Sequence, residues 1–571
     1  MKHNSLSLQL SNIFFKQNKL NWGISLITEI LLGLLGILLS WLIQQMVDSA
    51  VGTAGAIPMM TLVWLNLVVM ALVIGVLGMR RHFLPNFLRK AMLQYKNKVY
   101  EKLTQKNLAS FTKEETSTYL SALSNDIAAI ELNYLENSFS LVSHILVFFA
   151  TFALMLYYSP LMTLAAIVLM ILPVAASLAT GRKVAVHEKR LSDKNESFIS
   201  QLKDSLTGFS VIKAFQAEKE LFRQFENSNQ TVENAKRDKR RAEALVLQIS
   251  ATAGITAQLG IFLIGAFLII SRHAVTVGML MAFVNMMGVL TRPIQELPGL
   301  IAKRKAAFAL IRKMGGILSE NVNDEGIAVD QLLKSGITIR DLRFGYEEGQ
   351  KVLDGVSVHI NAGESVAVVG ASGSGKSTLF QLMMGADRNY EGEIRYDRSE
   401  LRTINTESLY DLLTLIQQNV FIFNASILDN ITLYRPFDPE EIERVVQESG
   451  LKQLIDEKGA DYLCGENGVH LSGGERQRIA IARSLLRKNS ILLVDEATSS
   501  LDTETASKIT RSILDLTGMT RLVITHRLEP SLLRAYDRIL VMKDGRIVED
   551  GAFEQLMQDK GYFFSLYTIS Q

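Results

Sequence analysis

Apolar residues in this chain gather into long runs separated by charged stretches, and nearly all of the long runs lie in its first half. Leu20–Met46, Ile57–Met79, Ser138–Tyr157, Leu161–Thr180 and Leu245–Ile270 are each long enough to cross ~30 Å of hydrocarbon as a helix. A sixth run begins near Val277. Six crossings return a chain to the side on which it started. The connections after the second and fourth runs lack proline across 89–107 and 184–240 and are rich in helix formers. This predicts membrane helices that continue well beyond the bilayer. From Ile337 the pattern changes to short apolar strands alternating with helical periods, as in an α/β domain.

Composition sharpens this division. The 571 residues are 48% hydrophobic and 21% charged, with a net charge of +2. Mean hydropathy is +0.18, high for a soluble chain. Bulk charge therefore points to neither nucleic acid nor an acidic partner. The basic run Lys236–Arg241 lies on a helix leading into the fifth apolar run, where a solvated face accounts for it. No nucleic-acid partner is expected. Basic residues crowd the two long connections, among them Arg80, Arg81, Arg89 and Lys90, whereas Val51–Ala56 and Ser159 carry none and the last short connection has only Arg272. By the positive-inside rule the long connections and both termini are expected in the cytoplasm. Met1–Lys19 reads as an amphipathic helix on the cytoplasmic membrane surface, with no cleavable signal pattern. The single cysteine, Cys464, allows no intramolecular disulfide and no Cys-rich metal site.

Candidate chemistry begins at Gly370-Ala371-Ser372-Gly373-Ser374-Gly375-Lys376-Ser377, a G-x-x-x-x-G-K-S phosphate loop. An apolar strand, Ser365–Val369, leads into it, and Thr378 opens the helix that follows. Glycines let backbone N–H groups converge on phosphate oxygens, and the helix N-terminus adds partial positive charge. Lys376 is expected to reach the β- and γ-phosphates of ATP, and the Ser377 hydroxyl to ligate Mg²⁺. Ile491–Val494 is an apolar strand ending in Asp495 and Glu496. Asp495 is the expected Mg²⁺ holder and Glu496 the general base for the attacking water. The expected fold class is a membrane all-α six-helix transmembrane domain (1–312), a linker (313–335) and an α/β P-loop ATPase domain (336–571).

Further motifs in order resemble the ABC transporter half-transporters of the exporter type. In the membrane half the resemblance rests on Ser110-Phe111 with Ser124-Asn125-Asp126, and on Gly208–Phe215 with Glu218. There it implies two coupling helices, at Leu108–Thr112 and Thr207–Ser210. From Ile337 to the C-terminus every motif follows the family's order. The resemblance implies that Tyr346 stacks on adenine, that Gln418, beside Gln417, senses Mg²⁺ and water, and that Gly465–Gly468 meets coupling helices. Leu471-Ser472-Gly473-Gly474-Glu475 is similar to the ABC signature, with Glu475 where many members have glutamine. Ser472, Gly473 and Gly474 stand before a helix and form a second anion site, which serves ATP on a facing domain. Asp502 matches the dimer-contacting loop, and His526 the γ-phosphate switch.

The resemblance implies ATP-driven export across the cytoplasmic membrane of a bacterium, with the chain embedded in membrane lipid and paired with a second half-transporter. A homodimer is favoured, because no ATPase motif is degenerate; a heterodimer with a degenerate partner and an importer built on the same fold stay open. A fused leader peptidase is not expected, since Cys464 is the only cysteine. The transported substrate, whether drug, lipid or processed peptide, is not fixed by these motifs. In the first apolar run Glu29, Gly33, Gly36, Ser40 and Gln44 share one helical face, and the sixth offers Asn285, Gly288, Arg292 and Gln295. Glu29 and Arg292 are therefore candidate substrate-path residues of the inner leaflet, with a structural ion pair or a glycine packing seam as the alternative.

Overall fold

The computed structural model describes residues 2–570 except 54, 108–109, 112–115, 273–274, 320–325, 347–350 and 497–502. It divides into two units: Met1–Thr104 with Thr116–Ser319, and Gln105–Glu115 with Glu320–Gln571. The expected coupling segment Leu108–Thr112 falls largely outside the described residues. At the other one, Thr207 ends a long helix and Gly208 leads into a short helix, Phe209–Ala214.

The first unit is helical. Its membrane helices are Lys19–Val51, Met59–Thr104, Asn137–Tyr158, Pro160–Thr207, Glu218–Arg272 and Val277–Ser319, called first to sixth below. Among the described residues five are long and apolar enough to cross a membrane. The fourth contributes the apolar stretch Pro160–Ile171, and its sequence stays apolar to Thr180. Most of these helices run far past any bilayer, as the proline-free connections predict.

Polar groups within this unit are satisfied helix to helix. The Ser40 hydroxyl donates to Asn285 Oδ1 at 2.8 Å, so the two small-polar faces read from the sequence meet there. Asp48 accepts from the Thr276 hydroxyl at 2.9 Å and the Gly278 amide at 3.0 Å, tying the end of the first helix to the start of the sixth. Only glycine fits at 278, because a Cβ would lie 2.3 Å from the Gln44 carbonyl oxygen. At the opposite end the N-terminal helix, Lys2–Ile13, packs on the sixth helix. Phe14 beyond it stacks on Tyr95 with ring centroids 5.1 Å apart. Met314 and Leu318 are buried in this same cluster, and the sixth helix continues through Gly315-Gly316 to Ser319. It thus enters the stretch read above as linker, since apolar burial outweighs the poor helix propensity of two glycines. The far part of that stretch is held too: Ile327 pairs with Ile404, and Leu333 is buried in the ATPase core.

The second unit contains two sheets. The larger has strand order β10-β9-β3-β8-β7-β6, where β3 is Ser365–Gly370, β6 Leu413–Ile416, β7 Ile491–Asp495, β8 Thr520–Ile524, β9 Arg538–Lys543 and β10 Arg546–Gly551. All but the β9–β10 pair are parallel. The smaller is antiparallel, β2-β1-β4-β5, with β1 Gly336–Phe344, β2 Leu353–Asn361, β4 Glu391–Tyr396 and β5 Ser399–Glu400. β3 is buried at every residue, as its uninterrupted apolar run requires. Its first residue is fixed by Asp537, whose carboxylate accepts from the Ser365 amide at 2.8 Å and hydroxyl at 2.6 Å.

Asp397 anchors the entry to β1. It accepts from the amides of Lys334, Ser335 and Gly336 at 3.2, 2.6 and 3.1 Å. Burial raises its carboxyl pKa, but the three backbone amides outweigh burial and hold it below the ordinary carboxylate range. A depressed folded-state pKa gives stability that is present above the unfolded pKa and lost as pH falls through the folded one. Asn at 397 keeps the acceptor and tolerates the left-handed φ of 52° while removing the charge. Asp397→Asn is expected to cost about 1 kcal/mol at pH 7, the difference between charge-assisted and neutral bonds. Thermal midpoints across pH test this: the gap between variant and parent closes below about pH 4, and a gap that persists in acid removes charge as the cause.

Candidate active site

The parallel strands carry their chemistry at one edge. Gly370 at the end of β3 opens the phosphate loop, Asp495 ends β7 with Glu496 next, and His526 follows β8 between the two strands. Carboxyl ends of adjacent parallel strands are where open α/β sheets bind ligands. The loop itself is fixed by close approach. A Cβ at Gly370 would lie 2.2 Å from the Met542 carbonyl oxygen, and one at Gly375 2.7 Å from Leu353. Gly375 has φ 96° and precedes the helix Lys376–Met383.

Lys376 is buried, and its ammonium donates to the Gly370 and Ala371 carbonyls at 3.0 and 2.9 Å. Burial lowers its pKa, opposed by Glu496 and Asp495. Among the described residues, the buried Ser374 hydroxyl inside the same loop has no hydrogen-bond partner. A lysine bonded only to its own loop and an orphaned hydroxyl beside it suit an anionic ligand. The Ser377 hydroxyl donates to Asp495 Oδ1 at 3.1 Å, a hydroxyl–carboxylate pair of oxygen donors of the kind Mg²⁺ takes. Burial pushes the Asp495 carboxyl up, and the Glu496 charge adds to that.

Glu496 is held from both sides. The Gln418 side-chain amide donates to its Oε2 at 3.2 Å, and His526 Nε2 lies 2.6 Å from its Oε1. Its backbone has φ 48°, costly for a glutamate, and its amide donates to the Ile524 carbonyl. Tyr346 is 63% exposed, with its hydroxyl 3.0 Å from Gln381 Oε1 and 3.3 Å from Thr378 Oγ1. Ser372 and Gly373 are exposed at the tip of the loop. Asp502 lies outside the described residues.

Ser472 caps the helix Gly473–Arg487, with Gly474 buried in its first turn. The Glu475 carboxylate accepts from the Ser472 amide at 2.6 Å, and Ser472 Oγ accepts from the Glu475 amide at 3.3 Å. This capping box gives a physical reason for the carboxylate that departs from the signature pattern. A cleft of about 250 Å³ is walled by both Gln418 and Gly473.

Several partners escaped the sequence analysis. Arg483 donates to the Asn430 carbonyl at 2.6 Å, to Asn430 Oδ1 at 2.8 Å and to the Phe421 carbonyl at 2.8 Å. It thus clamps the signature helix to the loop after Gln418, and burial pulls its guanidinium pKa down to about 10. An arginine among the apolar positions Ile479, Ala482 and Leu486 was the available signal. In the first unit Glu29 and Arg292 do not pair with each other. Glu29 Oε2 lies 2.8 Å from Arg80 Nε of the second helix. Arg292 Nε meets Glu296 Oε1 at 3.0 Å, and His144 Nε2 meets Glu296 Oε2 at 2.8 Å. Arg80, the first cation after the second apolar run, could have been found by matching depths along neighbouring helices.

Comparison with known proteins agrees with this geometry. Residues 22–294 match the ABC transporter transmembrane region and residues 353–499 the ABC transporter family. The chain is 30% identical over 530 residues to the ATP-dependent lipid A-core flippase of Escherichia coli K12, covering 89% of this chain and 88% of that protein. It is 28% identical over 527 residues to an uncharacterised ABC transporter ATP-binding protein of Bacillus subtilis, YfiC, covering 90% and 85%. A solved structure of a bacterial Atm1-family ABC exporter with ATP bound superposes with a TM-score of 0.83 at 23% identity, covering 97% of this chain and 98% of that one. This chain belongs to the ABC transporters: it is a multi-pass membrane protein with one fused ATPase domain, and it couples ATP hydrolysis to transport.

Proposed function

We propose that the chain is a half-transporter that exports its cargo across the cytoplasmic membrane, working as a homodimer with two competent ATP sites. The observation that carries this reading is Glu496 held between Gln418 and His526, beside the Ser377–Asp495 pair. In this reading the phosphate-loop amides around Ser372–Gly375 and the Lys376 ammonium bind the β- and γ-phosphates, and Thr378 continues the helix N-terminus. Tyr346, exposed beside the loop, stacks on the adenine. Ser377, Asp495 and Gln418 would hold Mg²⁺, which when bound neutralises charge on the phosphates. Glu496 accepts the proton of the attacking water, and His526 fixes the orientation of that carboxylate and contacts the γ-phosphate. Ser472, Gly473 and Gly474 face the nucleotide of the second copy, with Asp502 at the contact between copies.

Outward transport is supported by what the relatives are called, a flippase and an exporter. The crowding of basic residues in the long connections supports a cytoplasmic side for those connections and the ATPase domain. ATP binding closes paired ATPase domains and turns the helices outward; hydrolysis resets them. Glu29, half-buried and paired with Arg80, lines the path of a cargo with a polar or cationic part, and Arg292 stands on the same path.

Glu496→Gln is expected to lower ATP turnover by roughly 10²–10⁴-fold with ATP binding retained; near-normal hydrolysis would remove Glu496 from the role of base. The chain expressed and purified alone is expected to run as an active dimer, whereas an inactive or monomeric product assigns it a different partner. Glu29→Gln is expected to weaken cargo-stimulated ATPase while basal ATPase and thermal midpoint hold. Lost stability with normal transport per folded molecule would make the Glu29–Arg80 pair purely structural.

A further inference from the structure

The first unit contains two cavities that follow one after the other along the third and sixth membrane helices. One, of about 610 Å³, is lined by Phe148, Phe152, Met155, Ile167, Met170 and Ile294 among others, and among the described residues Thr163 is its one polar residue. The other, of about 720 Å³, lies between the N-terminal helix, the start of the third helix and the far part of the sixth. Its walls include Leu141 and Ile301 together with Arg304, Lys305 and Arg312, and among the described residues no carboxylate lines it. Leu141 and Phe148 stand two helical turns apart on one helix, as do Ile301 and Ile294 on the other, so the facing ends of the two cavities lie about 10 Å apart along one seam.

The cations at the lower end are arranged in an unusual way. The Arg304 guanidinium lies 5.4 Å from the Tyr134 ring centroid, and that of Arg312 5.1 Å from Phe308. The two rings are themselves stacked, 6.0 Å apart at 23°. Tyr134 sits in a π-helical turn, Glu131–Glu136, a rare geometry that often marks functional sites. Elsewhere on the long helices Lys98, Lys236 and Lys239 are bonded to carboxylates. Among the described residues no carboxylate pairs with Arg304, Lys305 or Arg312; the two guanidinium faces rest on rings, and the N–H donors of all three are left for an anion.

Depth matches this chemistry. Ile294 lies roughly 25 Å along the sixth helix from Val277 and Arg304 roughly 40 Å. In a bilayer of ~30 Å hydrocarbon and ~40–45 Å including headgroups, these positions fall in the acyl layer and the far headgroup layer. Given the orientation proposed above, that layer is cytoplasmic. We infer that this seam is a binding site for an anionic phospholipid of the inner leaflet, its phosphate at Arg304 and Lys305 and an acyl chain rising past Ile301 into the Phe148–Phe152 cavity.

The test uses the full-length, delipidated protein without ATP, so its outcome is independent of cargo and transport direction. Native mass spectrometry titrates long-chain phosphatidylglycerol and phosphatidylcholine onto the parent and the variants. The parent is expected to prefer phosphatidylglycerol, and Arg304→Gln/Lys305→Gln to lose about tenfold of that preference. Lys303→Gln, one residue away and outside the cavity wall, should lose none. Ile294→Trp, with every cation intact, should weaken long-chain but not dihexanoyl phosphatidylglycerol, and it keeps the test open if the double variant does not fold. Equal affinity for the two headgroups, an equal loss in Lys303→Gln, or chain-length independence in Ile294→Trp would each overturn the site. Displacement of the lipid by excess inorganic phosphate would reduce it to a free-anion site and overturn it as well.

Discussion

A phosphate loop is only as fixed as the strand it springs from, and here that strand is the most constrained in the ATPase unit. β3 is buried at every residue, hydrogen-bonded on both sides by parallel neighbours, and pinned at its first residue by Asp537. The chain leaving it has little choice of direction, and Met542 presses on Gly370 from β9. The same sheet sets the ends of β7 and β8, so Asp495, Glu496 and His526 are placed by ladder register. Loop flexibility has little part in it. The arrangement has a cost. Lys376 and Asp495 are each held away from water, and burial disfavours the charged form of both. A nucleotide phosphate bound at the loop would offset that cost at Lys376, so ATP binding is expected to stabilise this unit.

The ATPase fold was largely legible because its signals are local. A strand, a glycine loop and a helix adjoin in sequence at 365–383, and the apolar run before Asp495 and Glu496 fixes their strand by itself. Arg483 was not legible for the opposite reason. Its partners, Phe421 and Asn430, lie more than fifty positions away, and a single arginine in a helix carries no mark of what it will reach. Glu475 shows an intermediate case, where the family pattern flagged a departure and only the capping box explained it.

In the membrane unit the apolar runs gave the helices, but neighbours decide pairing. Counting depth placed Glu29 and Arg292 at similar levels without saying which helices touch. The structure gives Glu29 to Arg80 and Arg292 to Glu296, whose other oxygen meets His144. The extent of the sixth helix was misjudged for a related reason: two glycines argue for a break locally, whereas Leu10 and Phe14, three hundred positions earlier in the chain, supply the apolar surface that keeps it helical.

The lengths of these helices have a mechanical consequence. The Glu218–Arg272 helix is 55 residues, roughly 80 Å of continuous hydrogen-bonded rod. Such a rod turned by about 5° at one end sweeps the other through an arc of roughly 7 Å, more than one helical turn. A displacement of that size at one end therefore needs no unfolding along the shaft. The Val277–Ser319 helix differs in carrying Pro293 and Pro298, each removing a backbone donor from the ladder. Of the two rods, the longer is built to transmit an angle and the shorter to absorb one.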